Sequence, residues 1–385
     1  MVALSAPPPT KRILSVQPVS DGGGSEHALI AMLRQLSEYG WECHVAVPAP
    51  PRLAAGYSSA GAQLHVVPMA RLTTSGTATR WAAYAAMWPL SVLRLAALAR
   101  RVGATVIHTN SLHSWYGWAV AVLLRRPHVW HAREIVFQSG AALALERRLA
   151  RRFATAVIAV SAAVAAQLDP VNVTVITDEA DPSVFRPGRA GRFRSQAGIG
   201  DGVALVGSLA RIDTWKGFDT LLEAVPAIRA VRPDVEVVLA GGTVQGKEWY
   251  ESQLRGRAAG TRGVRWLGHR DDAADLMADL DVFVQVSSEP EPFGLVVVEA
   301  LASGVPVVAG AQGGPLEILG PRAATDATSS AGRLVPAGDP DALASAVLSL
   351  LPPGPSSTAR RRARAALRSR TTGRFAELFD RVTNP

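Results

Sequence analysis

Cysteine is almost missing from this chain: Cys43 stands alone among 385 residues. No intrachain disulfide can form, and a cysteine-based zinc site is excluded. A reducing, cytoplasmic setting is the expectation that follows. Lysine is nearly as scarce. Only Lys11, Lys216 and Lys247 occur, and the other 37 of the 40 cations are arginine. The opening MVALSAPPPTKR lacks the apolar stretch of a secretory signal and reads as a loose tail. The apolar segment Trp81–Ala99 is interrupted by Pro89 and Arg94, so a buried or amphipathic helix is expected there rather than a membrane span. Zinc-finger spacing, basic–aromatic nucleic-acid modules and solenoid-period repeats are absent, which argues against a nucleic-acid partner.

Nearly half of the residues are hydrophobic, the composition of a chain that folds around cores. At this length, two α/β domains of similar size are expected rather than one core. Short apolar runs alternate with helical stretches throughout. Strand candidates are Arg12–Val16, Glu42–Pro48, Gln63–Val67, Thr105–His108, Val129–His131, Ala156–Val160 and Val173–Thr177. In the second half they are Ala204–Leu209, Glu236–Leu239, Val264–Leu267, Val282–Val286, Val305–Ala309 and Arg333–Val335. Many are apolar at consecutive positions, as strands covered on both faces of a parallel sheet must be. The fold class is therefore α/β, with two doubly wound, Rossmann-like domains. Pro, Gly and Arg crowd Phe185–Arg194 and mark the break, giving domains 1–187 and 188–371. Pro352–Ser357 punctuates the chain again before an arginine-rich stretch and a last helical segment, Arg374–Val382.

The formal charge of +8 favours a phosphate-bearing partner, whether anionic lipid or an anionic acceptor; plain solubility accounts for it equally. Its clusters are Arg125–Arg126, Arg147–Arg152 and Arg360–Arg370.

Chemistry concentrates in Ser287–Ala311, SSEPEPFGLVVVEALASGVPVVAGA. A strand ends at Val286, a loop carries Glu289 and Glu291, and a helix starts at Phe293, Gly294 and Leu295. Such a start offers free N–H groups to an anion, and Gly294 lets the anion approach the backbone. Glu299 lies in an otherwise apolar helix. A buried carboxylate needs polar partners, and a ribose diol can donate to it twice; pairing with an arginine or reaching solvent is the bland alternative. Upstream, Val206–Gly217 leads from a strand into a loop with Arg211 and Lys216. Two cations there suit a diphosphate leaving group.

Glu291-Pro-Phe-Gly-Leu-Val-Val-Val-Glu299, followed by a Gly-x-Pro, resembles the Glu-x7-Glu motif of retaining GT-B glycosyltransferases, in particular glycosyltransferase family 4 (glycosyl transferases group 1). Residues 203–345 carry the resemblance most fully, and 12–187 more loosely. It implies two Rossmann-like domains facing a central cleft, acceptor bound by the first and nucleotide-sugar by the second, with residues 372–385 crossing back to the first. It implies that Glu291 contacts donor-sugar hydroxyls, that Glu299 holds the ribose, and that Arg211 and Lys216 meet the diphosphate. Ala210 stands where the family has Gly. The Gly-rich turn Gly22, Gly23, Gly24 lacks the spacing of a dinucleotide fingerprint or a P-loop; the resemblance places it beside the donor. His131 falls where many members place an active-site histidine, and His108 ends a neighbouring strand; both are expected to face the cleft. Arg133 and Glu134 read either as acceptor contacts or as an ion pair. Gly268-His269-Arg270 matches a loop that meets the base, and Gln312–Glu317 a loop flanking the donor. Asp178-Glu-Ala-Asp181 departs from the family's Asn-Gly-Val-Asp. Asp279 and Asp281 mimic a metal-binding Asp-x-Asp but lead into a strand and read as structural.

The implied activity is metal-independent, retaining transfer of a hexose-type sugar from a UDP- or GDP-sugar to a hydroxyl acceptor, with no cofactor besides the donor substrate. The acceptor is either lipid-linked or a small glycoside. Trp81, Tyr84, Trp88, Trp115, Tyr116 and Trp118 share a half with the arginine clusters, which suits peripheral contact with the inner face of a membrane. The rivals are a nucleotide-sugar epimerase of the same fold and a non-catalytic nucleotide-sugar or glycan-binding protein.

Overall fold

The computed structural model describes residues 11–70, 78–136, 139–168, 172–187, 191–200, 202–244, 246–320, 323, 331–351 and 373–383. Pro352–Ser357, the Arg360–Arg370 cluster and most of the opening tail lie outside these residues. The chain divides into two compact units, Met1–Asp178 with Thr371–Pro385, and Glu179–Arg370.

The first unit runs β1 (Arg12–Val16), α1 (Gly24–Glu38), β2 (Glu42–Val47), α2 (Ala54–Ser59), β3 (Ala62–Val66), α3 (Ala78–Arg101), β4 (Val106–Thr109), α4 (Tyr116–Leu124), β5 (His128–Ala132), α5 (Gly140–Phe153), β6 (Ala156–Ala159), α6 (Ala162–Ala166) and β7 (Val173–Val175). The second runs α7 (Arg192–Ala197), β8 (Ala204–Leu209), α8 (Phe218–Val231), β9 (Val235–Ala240), α9 (Glu248–Gly260), β10 (Val264–Gly268), α10 (Ala273–Asp279), β11 (Val282–Gln285), α11 (Leu295–Ala302), β12 (Val307–Gly310), α12 (Gly314–Leu319), β13 (Gly332–Val335) and α13 (Pro340–Leu350). A last helix, α14 (Arg374–Thr383), belongs to the first unit.

Every strand candidate is a strand. The sheets are parallel throughout their described pairings, in the orders β3-β2-β1-β4-β5-β6-β7 and β10-β9-β8-β11-β12-β13. Both faces of each sheet are covered, which is why adjacent strand residues are equally apolar. Ile13 and Val45 point to one hydrophobic layer of the first unit, Leu14 and Ala46 to the other. Strand order reverses between β1 and β4 and again between β8 and β11. Open α/β sheets bind ligands at the carboxyl ends of the strands flanking such a reversal.

One expected bound differs from the division of the chain. The division falls at Asp178, nine residues ahead of the composition break. Arg133 holds Asp178 to the first unit, whereas Phe193, within the Arg-rich stretch, is buried in a core of the second. The end of the crowded stretch, from Arg192, is the start of α7 in the second unit. Pro89 lies inside the helix expected over Trp81–Ala99: α3 runs 24 residues through it. Proline removes a single backbone hydrogen bond, and the surrounding packing carries the helix past it. Among the described residues Trp81–Arg101 is long and apolar enough to cross a membrane by length and composition. One of its faces, including Tyr84, Val92, Leu95 and Ala99, is core.

Candidate active site

The second unit's reversal brings two loops together, residues 210–217 after β8 and residues 286–294 after β11. Trp215 carbonyl oxygen accepts from Ser288 N at 2.8 Å. Gly217 then enters α8 with φ +78°, and a Cβ there would lie 2.1 Å from the Val286 carbonyl oxygen. Only glycine permits both the left-handed turn and this approach. The 286–294 loop is backed in turn by the 310–314 loop, whose Gly314 N–H donates to Glu291 O at 2.8 Å.

This frame places Lys216 against Glu291. Lys216 Nζ donates to Glu291 Oε1 at 2.8 Å and Oε2 at 2.7 Å, and Ser287 Oγ donates to Oε2 at 3.1 Å. Both charged side chains are largely enclosed, 9% and 13% exposed. Burial pushes the Lys216 ammonium down, the Glu291 carboxylate opposes this, and Arg211 adds to the depression. The Trp215 ring lies beneath Nζ, its centroid 3.7 Å away. Arg211 is exposed, and no partner holds it among the described residues. A small pocket beside Glu291 is lined by Gln285, Ser287, Glu289, Gln312 and Pro315.

α11 starts after Gly294, whose φ of +93° makes the left-handed cap that turns the loop into the helix. Phe293 is buried and Leu295 partly so. Glu299, in the middle turn, is 8% exposed, and no group among the described residues donates to its carboxylate. Burial alone pushes its pKa up to about 8. A buried carboxyl without a partner is costly, and hydrogen-bonding groups brought to it would offset that cost.

The remaining second-unit assignments divide. Arg270 is already committed, forming a two-pronged pair with Asp272 at 2.7 and 2.5 Å and lying over the Phe193 ring. The exposed His269 pairs with Asp271. Gln312 reaches back to Ser287 O at 3.0 Å and stiffens the Glu291 loop. Asp279 accepts from Arg194 N, and Asp281 accepts from Arg194 Nη2 and Leu205 N. Both anchor α7 to the sheet, the structural role expected of them.

In the first unit, several polar groups at the strand ends bond to one another, while Gln17 Nε2, His108 Nε2 and His131 Nε2 are buried without a partner among the described residues. The Gly22 N–H donates to Glu26 at 2.5 Å, and Tyr57 OH donates to the same carboxylate. Glu26 is the third helical residue after the Gly23 cap, and its carboxylate reaches back across the turn to Gly22 N. The Gly22–Gly24 turn is thus filled by the chain's own carboxylate, whose pKa burial raises. Arg133 gives Nε to Asn110 Oδ1 at 2.6 Å and Nη1 to Asp178 Oδ2 at 2.5 Å. Its ion-pair partner is Asp178 rather than Glu134, which accepts from Ser111 Oγ and Leu112 N. The departure from the family's Asn at Asp178 now has a physical reason: a carboxylate there neutralises a buried guanidinium.

The histidine expectation is corrected. His131 and His108 are wholly buried, their rings 6.0 Å from Phe375 and 5.8 Å from Phe379 of α14. Burial drives both pKa values well below the ordinary histidine range, with Arg133 adding to the effect. As placed, neither ring is open to a ligand. Sequence reasoning also missed Glu26, Asn110, Gln285, Ser287 and Trp215. Glu26 was signalled by its spacing from Gly23; the others lie in loops or at strand ends whose neighbours are distant in sequence.

Two parallel α/β units, each with a strand-order reversal, make up a doubly wound two-unit fold. Residues 22–178 match the family described as Glycosyltransferase Family 4, and residues 201–352 match Glycosyl transferases group 1. The chain belongs to this glycosyltransferase family and has its GT-B fold. It is 38% identical over 139 residues to a phosphatidyl-myo-inositol mannosyltransferase of Mycobacterium leprae, covering 35% of this chain and 34% of the relative. It is 31% identical over 167 residues to a GDP-mannose-dependent monoacylated α-(1-6)-phosphatidylinositol monomannoside mannosyltransferase of Corynebacterium glutamicum, covering 41% and 40%. These alignments thus span well under half of the relatives' own length. In fold it is similar to Anabaena HepE, crystallised with UDP and glucose, with a TM-score of 0.79, 24% identity and coverage of 97% and 99%.

Proposed function

We propose that the protein is a retaining, metal-independent glycosyltransferase moving a hexose from a nucleoside diphosphate sugar to a hydroxyl acceptor. The observation that carries this reading is the enclosed Lys216–Glu291 pair in the same unit as an unpartnered, buried Glu299. Glu299 accepts the ribose hydroxyls, Lys216 and Arg211 meet the diphosphate, and Glu291 takes the sugar hydroxyls. In the transfer, the acceptor oxygen bonds to the anomeric carbon on the face the diphosphate leaves. The bond from that carbon to the phosphate oxygen breaks, and the acceptor's proton passes to this oxygen. Cations held at the leaving group stabilise the charge that develops there. Metal independence is supported by the engagement of Asp279 and Asp281 with Arg194 and backbone N–H groups. The relatives' names favour GDP-mannose and the HepE complex favours a UDP-sugar, so the base is an experimental arm.

We extend the proposal to a lipid-linked acceptor, met at the inner face of a membrane. The supporting surface is the outer face of α3, where Trp81, Met87, Leu90 and Leu93 are 40–60% exposed, with Val122 and Leu123 of α4. Arg94, Arg125 and Arg126 are exposed on the same helices and the turn after α4. The aromatic residues read from sequence are mostly not the contact: Tyr84 and Tyr116 are core, while Trp88 and Trp118 pack on each other.

The test is a thermal-shift screen of UDP- and GDP-sugars, followed by transfer to acceptors in the presence of chelator and an NMR reading of the new anomeric bond. A saturating donor at 100 times its dissociation constant stabilises by about 2.7 kcal/mol. Inverted product, or activity that chelator abolishes and metal restores, overturns the corresponding part of the mechanism. Sugar conversion without acceptor would establish the epimerase instead.

A further inference from the structure

Lys216 carries three N–H donors, and the two oxygens of Glu291 take two of them. Its ammonium also lies 3.7 Å from the centroid of the Trp215 ring, within cation–π range. That ring is itself fixed at both ends. The Trp215 indole adjoins Asp213, which holds Lys247 Nζ at 2.7 Å. Burial pushes the Asp213 carboxyl up, but Lys247, the Thr214 N–H and this indole together outweigh it and hold it below its usual value. The Trp215 carbonyl is tied to Ser288 N at 2.8 Å, on the loop that carries Glu291. Lys247, Asp213, Trp215, Lys216 and Glu291 therefore form one connected series.

We infer that Trp215 is a positioning residue for Lys216: its indole face holds the ammonium at the diphosphate position while Glu291 changes partners. This rests on the reading that Lys216 meets the donor diphosphate and Glu291 its sugar. A lysine stem is long and flexible, and sugar hydroxyls that donate to Glu291 compete with Nζ and Ser287 Oγ for its lone pairs. When the carboxylate turns to the sugar, the ring remains, and it attracts the cation without occupying it as a carboxylate would. The negative charge that Lys216 answers grows in the transition state, so loss of the ring is felt in kcat more than in KM.

The test uses the full chain with Trp215→Phe, Trp215→Leu and Trp215→Met. With only three lysines, the side-chain ammonium NMR spectrum of 15N-lysine-labelled protein is simple, and Lys216→Arg assigns the signal of interest. The expected result is one lysine signal displaced by the indole ring current in the wild type. It should keep part of that displacement in Trp215→Phe and lose it in Trp215→Leu and Trp215→Met. In turnover, Trp215→Phe stays within about 3-fold of wild type, while both aliphatic variants lose ~3–30-fold in kcat, the range of a cation–π contact. Aliphatic variants that match Trp215→Phe in kcat, or a wild-type spectrum with no displaced lysine, overturn the inference. If no donor supports transfer by the wild type, the functional reading fails on its own, and the spectra still decide whether the ring holds Lys216.

Discussion

The two units have the same strand-and-helix plan but treat their polar groups in opposite ways. In the first, Arg133, Asn110, Asp178 and Glu26 satisfy one another or the backbone, and the histidines are sealed under α14. In the second, Arg211 stands exposed, Lys216 and Glu291 rest on each other, and Glu299 has nothing. A self-satisfied network adds rigidity. A network with spare capacity binds. The contrast holds for the charged groups: those of the second unit are the ones the proposal assigns to a ligand, whereas the spare capacity of the first unit lies in neutral groups such as His108, His131 and Gln17.

The largest effect should come from breaking the architectural side. Asp178→Ala strands the Arg133 guanidinium in a site where both side chains are at most 7% exposed. Loss of one partner of such a pair costs about 3–5 kcal/mol. Asp178→Asn, which keeps an acceptor oxygen, should be much milder. Urea unfolding followed by tryptophan fluorescence measures both; equal midpoints for Asp178→Ala and wild type would mean that the first unit's network is dispensable.

Next comes the ligand side. Lys216→Ala and Arg211→Ala should each lower turnover ~10²–10³-fold, as loss of a charge-stabilising contact does, with the fold retained. Activity within a few-fold of wild type in both would dissolve the contrast between the units.

The same contrast predicts opposite responses to pH. Burial raises the Glu299 carboxyl from its ordinary 4.5 to about 8 in the folded state. The folded state therefore holds a proton that the unfolded chain has lost. Stability from this group is full below pH 4.5 and falls as pH rises to about 8, by about 1.4 kcal/mol per unit. Glu299→Gln should remove that fall, raising the melting temperature at pH 8 while weakening donor binding. His108, His128 and His131 are depressed, His128 to about 3. Their folded forms stay neutral where the unfolded chain takes up protons, so their stabilisation is full above pH 6.5 and is lost on acidification. Glu26, raised by burial, works against them in the first unit. Melting curves of wild type and Glu299→Gln across pH 5–8 check both signs; a melting temperature for Glu299→Gln that still drops towards pH 8 as wild type does would discard the first.

The smallest effect concerns α3. Leu90→Asp with Leu93→Asp should leave turnover on a soluble acceptor unchanged and abolish sedimentation with anionic vesicles at low salt. If wild type itself ignores such vesicles, the membrane arm of the proposal falls.

The fold was almost wholly legible because strands buried on both faces write themselves as continuous apolar runs. The donor-side residues were legible because Glu291 and Glu299 share one short segment. Their partners were not. Lys216 meets Glu291 across 75 positions, and Arg133 meets Asp178 across 45. Such pairings are set by strand order, which local pattern does not encode. His131 misled for the same reason: a strand-end histidine looks available until a helix from the far end of the chain covers it.

That helix also sets an order of events during synthesis. Phe375, Leu378 and Phe379 complete a core whose other members, Ile13, Leu33, Trp41 and Val45, lie near the start of the chain. Asp380 likewise closes on Lys11 and on the Trp41 indole. These closing residues are translated after the second unit. The nascent first unit must wait with an apolar face uncovered while the second unit, translated later, already has all of its own strands. The half of the protein that is made first is therefore the half that finishes last, and it is the half a chaperone would have to shield.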